Sequence, residues 1–221
     1  MGAHDIEFPS KWPNETSIPG FHKFMETFLL ACQDVARDIL TALEIGLGLP
    51  VGAFTRCMET RVDELRLNYY PPLRIEKLNG GKYKRAWPHT DFGLITLLFQ
   101  DAAGGLEVEN REKPGGWIPI SCESPTEMGV YVSDTLEHLT NGYLRAGAHQ
   151  VVSPISMKDR ETGVLPERYS MALFAKADRQ ANVGPLEKYI ISADNHRYFQ
   201  DLTAVALHKK RVAQLYGTVP V

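Results

Sequence analysis

The sequence predicts a mainly β protein, a sandwich or barrel of short strands with a long helix before it and a second helix after it. Three observations carry that expectation. Beyond Arg61 the apolar residues fall in short runs rather than at helical spacing. Turn residues punctuate those runs, at Pro71-Pro72, Asn79-Gly80-Gly81, Gly104-Gly105, Pro114-Gly115-Gly116 and Asn141-Gly142. Many short strands spaced this regularly suit a sandwich or barrel better than alternating β-α units.

The elements follow in order. Residues 1–20 hold Pro9, Pro13, Pro19 and Gly20 and read as an irregular lead-in. From Phe21 the spacing turns helical: Phe21, Phe24, Phe28, Cys32, Val35, Ile39 and Leu43 fall three or four apart and form one apolar stripe, as on a core-covering helix. Gly46, Gly48 and Pro50 end that helix. Strands are expected at Glu64–Tyr70, Gly93–Phe99, Gly105–Val108, Trp117–Ile120, Gly129–Val132, His149–Val152 and Arg168–Ala175. A second helix is expected from Asn195 to about Tyr216, with Tyr198, Leu202, Val205 and Val212 on one side. Its last turns carry Lys209-Lys210-Arg211, where cations suit the helix dipole.

Composition removes several classes of function. With 24 Lys+Arg against 27 Asp+Glu the net charge is −3, so no broad basic surface is offered to a nucleic-acid backbone. A hydrophobic content of 43% is that of a globular chain. The most apolar stretch, Phe28 to Val51, is interrupted by Asp34, Arg37, Asp38 and Glu44, so no membrane span is expected. The first residues, Met-Gly-Ala-His-Asp-Ile-Glu, have neither a basic nor an apolar signal region, which suggests a cytoplasmic protein. Cys32, Cys57 and Cys122 are too few and too scattered for a disulfide framework and read as small hydrophobes.

The chemistry is concentrated in pairs two residues apart. A strand puts such positions on one face, so each pair can aim two side chains into one interior. The pairs are Asn68 with Tyr70, His89 with Asp91, and Arg168 with Ser170; His149 stands alone further on. Two imidazoles and one carboxylate are the usual ligands of non-haem iron(II) that activates oxygen. Three ligands on one side of the ion leave adjacent positions for a bidentate co-substrate and O2. Taken alone, His89-Thr90-Asp91 fits a surface ion pair equally well, and Arg168 fits a structural ion pair. Arg168 also suits a buried carboxylate, because its planar fork binds both oxygens and stays charged. Leu98 and Phe174 are candidates for pocket walls, with ordinary core packing as the default. His138, in Leu136-Glu137-His138-Leu139, is the best alternative ligand.

The whole constellation resembles the iron(II)/2-oxoglutarate-dependent dioxygenases of the isopenicillin N synthase-like superfamily. The matching stretches are Leu65-Arg66-Leu67-Asn68-Tyr69-Tyr70-Pro71-Pro72, His89-Thr90-Asp91-Phe92-Gly93-Leu94-Ile95-Thr96-Leu97-Leu98, Gly105-Leu106-Glu107-Val108, Leu139-Thr140-Asn141-Gly142, His149-Gln150-Val151 and Arg168-Tyr169-Ser170. Trp12-Pro13 followed by Pro19-Gly20-Phe21 is similar to the family's segment ahead of its central helix. The resemblance implies a double-stranded β-helix, or jelly-roll, as the catalytic core over residues 62–178. Residues 1–61 would be lead-in and covering helix, and 179–221 a C-terminal helical segment, all in one structural domain. By the same resemblance His89, Asp91 and His149 would ligate Fe(II), and Arg168 and Ser170 would hold the far carboxylate of 2-oxoglutarate with Tyr70 and Asn68. His138 would then lie outside the triad, at most lining the substrate entrance. The implied reaction consumes O2 and 2-oxoglutarate, hydroxylates or desaturates a small organic metabolite, and yields succinate and CO2.

The chain departs from the family pattern in four ways. Members usually carry a further N-terminal region, so a sheet surface left uncovered here would favour self-association. Gln150 stands where Arg is common, Ser133 where Gly precedes the Asp, and Leu139 where Trp is frequent. Three other readings stay open: an iron oxidase of the same superfamily that does not use 2-oxoglutarate, a silent jelly-roll binding module, and a zinc hydrolase on a cupin-like barrel.

Overall fold

A computed structural model describes residues 12–79, 83–124, 126–158, 160–190 and 202–216. The first helix, α1, runs Phe21–Gly46 as the spacing predicts. Its buried face is rotated from the expected stripe: Met25, Leu29, Cys32, Ala36 and Leu40 are buried, whereas Phe24 and Val35 are exposed. Apolar residues cover a wide arc of this helix, and spacing of three or four fits more than one line along it. The sheet decides between them, because residues one step round from the large aromatics let the helix approach closely. Phe28 stays at the flank and packs on Phe99, ring centroids 5.4 Å apart.

The helix ends on a buried acid. Glu44 accepts hydrogen bonds from the backbone N–H groups of Gly52, Phe54 and Thr55 at 2.7–2.8 Å. Burial alone would raise its pKa, but these donors hold the carboxyl below its usual range.

Among the described residues ten strands follow: β1 (Glu64–Tyr70), β2 (Leu73–Arg74), β3 (Ala86–His89), β4 (Ile95–Gln100), β5 (Leu106–Asn110), β6 (Gly116–Ile120), β7 (Gly129–Val132), β8 (His149–Val151), β9 (Val164–Leu165) and β10 (Arg168–Ala175). Short helices α2 (Ile75–Asn79) and α3 (Asp134–Leu139) interrupt them, and α4 (Ala204–Tyr216) comes last. The expected C-terminal helix is not continuous from Asn195: Thr203 forms a bridge to Asn182 and the helix begins at Ala204, while residues 195–201 lie outside the described residues, as do His4, His196 and the Gly80-Gly81 turn. Every expected strand is present within two residues of its bounds. β3 was not expected, because Pro88 argues against a strand interior; here it sits at an irregularity in the β3–β8 pairing.

Two four-stranded antiparallel sheets result, in the orders β1-β10-β4-β7 and β3-β8-β5-β6, with β2 and β9 paired separately. Successive strands mostly cross from one sheet to the other, which is the jelly-roll pattern. Alternation along the first sheet assigns its two faces. Leu65, Ile95, Leu97 and Leu173 point outward into the core beneath α1. Arg66, Asn68, Tyr70, Thr96, Leu98, Arg168, Ser170, Ala172 and Phe174 point inward and line one cavity. Gly93 lets the chain enter β4 against β10: a Cβ there would lie 2.4 Å from the Ala175 carbonyl oxygen. No helix among the described residues is long and apolar enough to cross a membrane.

Candidate metal centre and co-substrate pocket

Three side chains from two chain segments converge in the space between the sheets. His89 ends β3 and His149 opens β8, and antiparallel pairing makes the two residues direct partners. Asp91 lies two residues beyond His89, in the crossing to β4. Both imidazole Nε2 atoms stand 3.9 Å from Asp91 Oδ1. The three donor atoms all lie within 4.8 Å of one another, and among the described residues no other group of three or more His, Cys, Asp or Glu converges this way.

Neighbouring groups set the orientation of each donor. His89 Nδ1 lies 2.7 Å from the Trp87 carbonyl and His149 Nδ1 lies 2.9 Å from the Gly147 carbonyl. A carbonyl only accepts, so each Nδ1 carries a proton and each Nε2 faces the shared space, where the neutral ring would offer its lone pair. Burial lowers the pKa of His149, although the Asp91 charge pulls the other way, and a neutral ring is the form that binds a metal. Asp91 Oδ2 accepts from the Thr96 hydroxyl at 2.7 Å, leaving Oδ1 facing the imidazoles. The Ser133 hydroxyl, 3.2 Å from Thr96 Oγ1, extends that chain, so the residue that replaces the family's usual Gly joins the support of Asp91. Tyr131 stacks on His149, and burial, with the Asp91 charge, pushes its pKa up to about 12, which keeps the phenol neutral.

The other predicted residues line the same cavity, which holds about 210 Å³. Register makes them neighbours: Tyr70 opposes Arg168 and Asn68 opposes Ser170 across β1 and β10. Asn68 Nδ2 donates to Ser170 Oγ at 3.4 Å, and the Arg168 guanidinium lies 4.9 Å from the Tyr70 ring centroid. Arg168 is fully buried; its Nη2 donates to Gln100 Oε1 at 2.8 Å, while its Nε and Nη1 have no partner. A buried guanidinium with two idle donors has the chemistry to receive a carboxylate. Leu98 and Phe174 line this cavity rather than the core. His138 is a correction to the alternative considered above: it is buried in α3, its Nδ1 is 2.7 Å from the Val183 carbonyl, and it is absent from the cavity wall.

Spacing did not single out Thr96, Gln100, Ser133 or Tyr131. Thr96 and Gln100 lie within the β4 run, where their inward parity was the available signal. Gln150, in place of the common Arg, donates to Glu107 Oε2 at 2.8 Å; Lys158 lies 3.6 Å from the other Glu107 oxygen, and Lys84 donates to Gln150 at 3.0 Å.

The 2OG-Fe(II) oxygenase superfamily model matches residues 62–177, more than half of the chain. This chain belongs to that superfamily. Among curated relatives it is 41% identical over 214 residues to the 2-oxoglutarate-dependent dioxygenase ecdK of Aspergillus rugulosus, covering 97% of this chain and 64% of that one. It is 42% identical over 212 residues to the 2-oxoglutarate-dependent dioxygenase phqC of Penicillium fellutanum, covering 96% and 60%. The crystal structure of a full-length Neurospora crassa protein in complex with alpha-KG superposes with a TM-score of 0.85 at 27% identity, covering 98% of this chain and 64% of that one. The chain therefore spans somewhat under two thirds of the length of these relatives. The donor set suits the metal of that superfamily: two imidazole nitrogens, one carboxylate oxygen and no thiolate. The idle donors of Arg168 make the same cavity fit a 2-oxo dicarboxylic acid.

Proposed function

We propose that this protein is an Fe(II)- and 2-oxoglutarate-dependent dioxygenase that hydroxylates or desaturates a small organic metabolite, releasing succinate and CO2. One observation carries the reading: a single cavity is lined both by three convergent metal donors and by the buried guanidinium of Arg168, whose Nε and Nη1 have no partner. His89, Asp91 and His149 are the metal ligands in this reading, and Arg168, Ser170, Tyr70 and Asn68 receive the co-substrate. When bound, Fe(II) with 2-oxoglutarate and O2 supplies an oxidant strong enough to break a C–H bond.

The side chains do the positioning. The Trp87 and Gly147 carbonyls accept from the Nδ1–H groups, which orients both rings with Nε2 facing the shared space. Thr96 fixes one Asp91 oxygen. Arg168 neutralises the far carboxylate, and Ser170 and Tyr70 limit its rotation. Leu98, Leu106, Val151, Ala172 and Phe174 give the cavity apolar walls, which exclude water beside the reacting carbon. Residues 62–178 form the catalytic core in this reading, with 1–61 and 179–221 as its cover.

A cytoplasmic location and no nucleic-acid partner are part of the same proposal. So is self-association, favoured by exposed Leu67, Tyr69 and Tyr169 on the outer face beside the edge strand β1. The test is succinate release that depends on iron, O2 and 2-oxoglutarate, measured across a panel of small metabolites. Loss of release in His89→Ala and Asp91→Ala, with the fold intact by circular dichroism, supports the reading. Unchanged release in either variant refutes it.

A further inference from the structure

Among the described residues five buried side-chain nitrogen or oxygen atoms have no hydrogen-bond partner, and four belong to two arginines: Nε and Nη1 of Arg168, and Nε and Nη1 of Arg85. Buried donors are nearly always paired, so each orphan needs an explanation. A carboxylate accounts for those of Arg168. Nothing above accounts for those of Arg85.

Arg85 immediately precedes β3, and its Nη2 donates to two carbonyls, that of Pro71 at 3.3 Å and that of Pro166. Pro71 follows Tyr70, on whose ring the Arg168 guanidinium rests, and Pro166 lies two residues before Arg168. One guanidinium therefore joins the two segments that present the carboxylate-binding side chains. Burial, and then the charge of Arg168, hold the pKa of Arg85 below its usual value, so the two cations feel one another. The Asp101 charge partly offsets this at Arg85. Its carboxylate is engaged by the backbone N–H groups of Tyr169 at 2.6 Å and Ala103 at 3.0 Å.

We propose that Arg85 is a positioning residue for the far carboxylate of the co-substrate, forming with Arg168 a paired-guanidinium anchor that selects a dicarboxylic 2-oxo acid over a monocarboxylic one. This rests on the reading that Arg168 receives that carboxylate. The anchor gives the second carboxylate a value that one arginine, already sharing an N–H with Gln100, would not supply alone. A merely structural Arg85 would instead hold the β1 and β10 ends together for any ligand alike.

The experiment is anaerobic calorimetric titration of the Fe(II)-loaded protein with 2-oxoglutarate and with 2-oxoisovalerate, which has the same chelating end and no far carboxylate. Wild type, Arg85→Gln and Arg85→Lys are compared. The expected result is a tenfold or greater loss of 2-oxoglutarate affinity in Arg85→Gln, 2-oxoisovalerate binding within twofold of wild type, and partial recovery in Arg85→Lys. Unchanged 2-oxoglutarate affinity, or equal losses for both acids, overturns the proposal. If Arg85→Gln does not fold, Arg85→Lys decides: it keeps the charge and loses the planar fork, so a loss confined to 2-oxoglutarate supports the anchor and parity overturns it. A wild-type protein that binds neither acid would sink the dioxygenase reading and the anchor together, whereas parity in the variants sinks the anchor alone.

Discussion

Replacing Thr96 by Val tests the metal centre without touching a ligand. The two side chains have nearly the same shape, and Thr96 is buried, so the change removes one hydroxyl and little volume. That hydroxyl donates to Asp91 Oδ2 at 2.7 Å and lies 3.2 Å from the Ser133 hydroxyl. Hydrogen bonds to a charged group contribute about 1.5–3 kcal/mol. At about 1.4 kcal/mol per tenfold change, this corresponds to a loss of roughly 10- to 150-fold. Removing a group that orients a metal ligand typically costs about 10- to 100-fold in metal affinity, the same range by a separate route. Anaerobic Fe(II) titration of Thr96→Val should show that loss, while a urea melt shows a smaller change, because the idle Asp91 oxygen can turn toward the cavity. Fe(II) affinity within twofold of wild type would refute the claim that Thr96 fixes the carboxylate.

Arg168→Ala should raise the 2-oxoglutarate requirement by an amount equivalent to about 2–5 kcal/mol, with Fe(II) affinity little changed, as read by co-substrate titration of succinate release. Glu44→Gln should lower stability at neutral pH by about 1–3 kcal/mol, since three backbone donors lose a charged acceptor. Because the folded pKa of Glu44 is depressed, its contribution is complete above the ordinary carboxylate range and is lost as pH falls; the gap between wild type and variant in urea melts should therefore close toward acid pH. Arg211→Gln breaks the 2.6 Å bond from Arg211 Nε to buried Asp134 and the 3.2 Å bond from Nη2 to Thr90 Oγ1, between the two ligands His89 and Asp91. It should cost about 1–2 kcal/mol in a melt and weaken Fe(II) binding as well; a melt that shifts with unchanged metal affinity would show that α4 braces the core and not the ligand loop.

What could be read from the sequence follows strand parity. Asn68/Tyr70 and Arg168/Ser170 each occupy one face, fixed once the strand is recognised, whereas His89 ends β3 and Asp91 lies beyond it. Parity offered those three pairs, the resemblance supplied His149 and the roles, and all seven residues line one cavity. Helical spacing placed α1 correctly along the chain but not in rotation, because the choice between the Phe24 line and the Met25 line belongs to the sheet surface beneath. Arg85 escaped for a related reason: it stands just outside a strand that Pro88 disguises, and its partners are carbonyls of Pro71 and Pro166 whose approach depends on long-range pairing. Thr96 was visible only as one polar residue inside an apolar run.

The two ends of the cavity are built by different sheets, and this separates their dependencies. The metal end is set by the β3–β8 pairing of His89 with His149, in the sheet that also contains β5 and β6. The carboxylate end is set by the β1–β10 pairing, which brings Tyr70 to Arg168 and Asn68 to Ser170 from distant parts of the chain. Neither pairing alone makes a site, because a metal without the far guanidinium has no means of choosing its 2-oxo acid, and the guanidinium alone has nothing to deliver it to. The crossing from β3 to β4 links them. Asp91 leaves the first sheet's partner with its carbonyl accepting from the N–H of Asp134 at 2.8 Å, and Thr96, already in β4, bonds its carboxylate. The short stretch from His89 to Thr96 is therefore where the spacing between metal and co-substrate is set. Substitutions there should change metal and co-substrate affinity together, whereas those at Gly147 or Ser170 should each move one and spare the other.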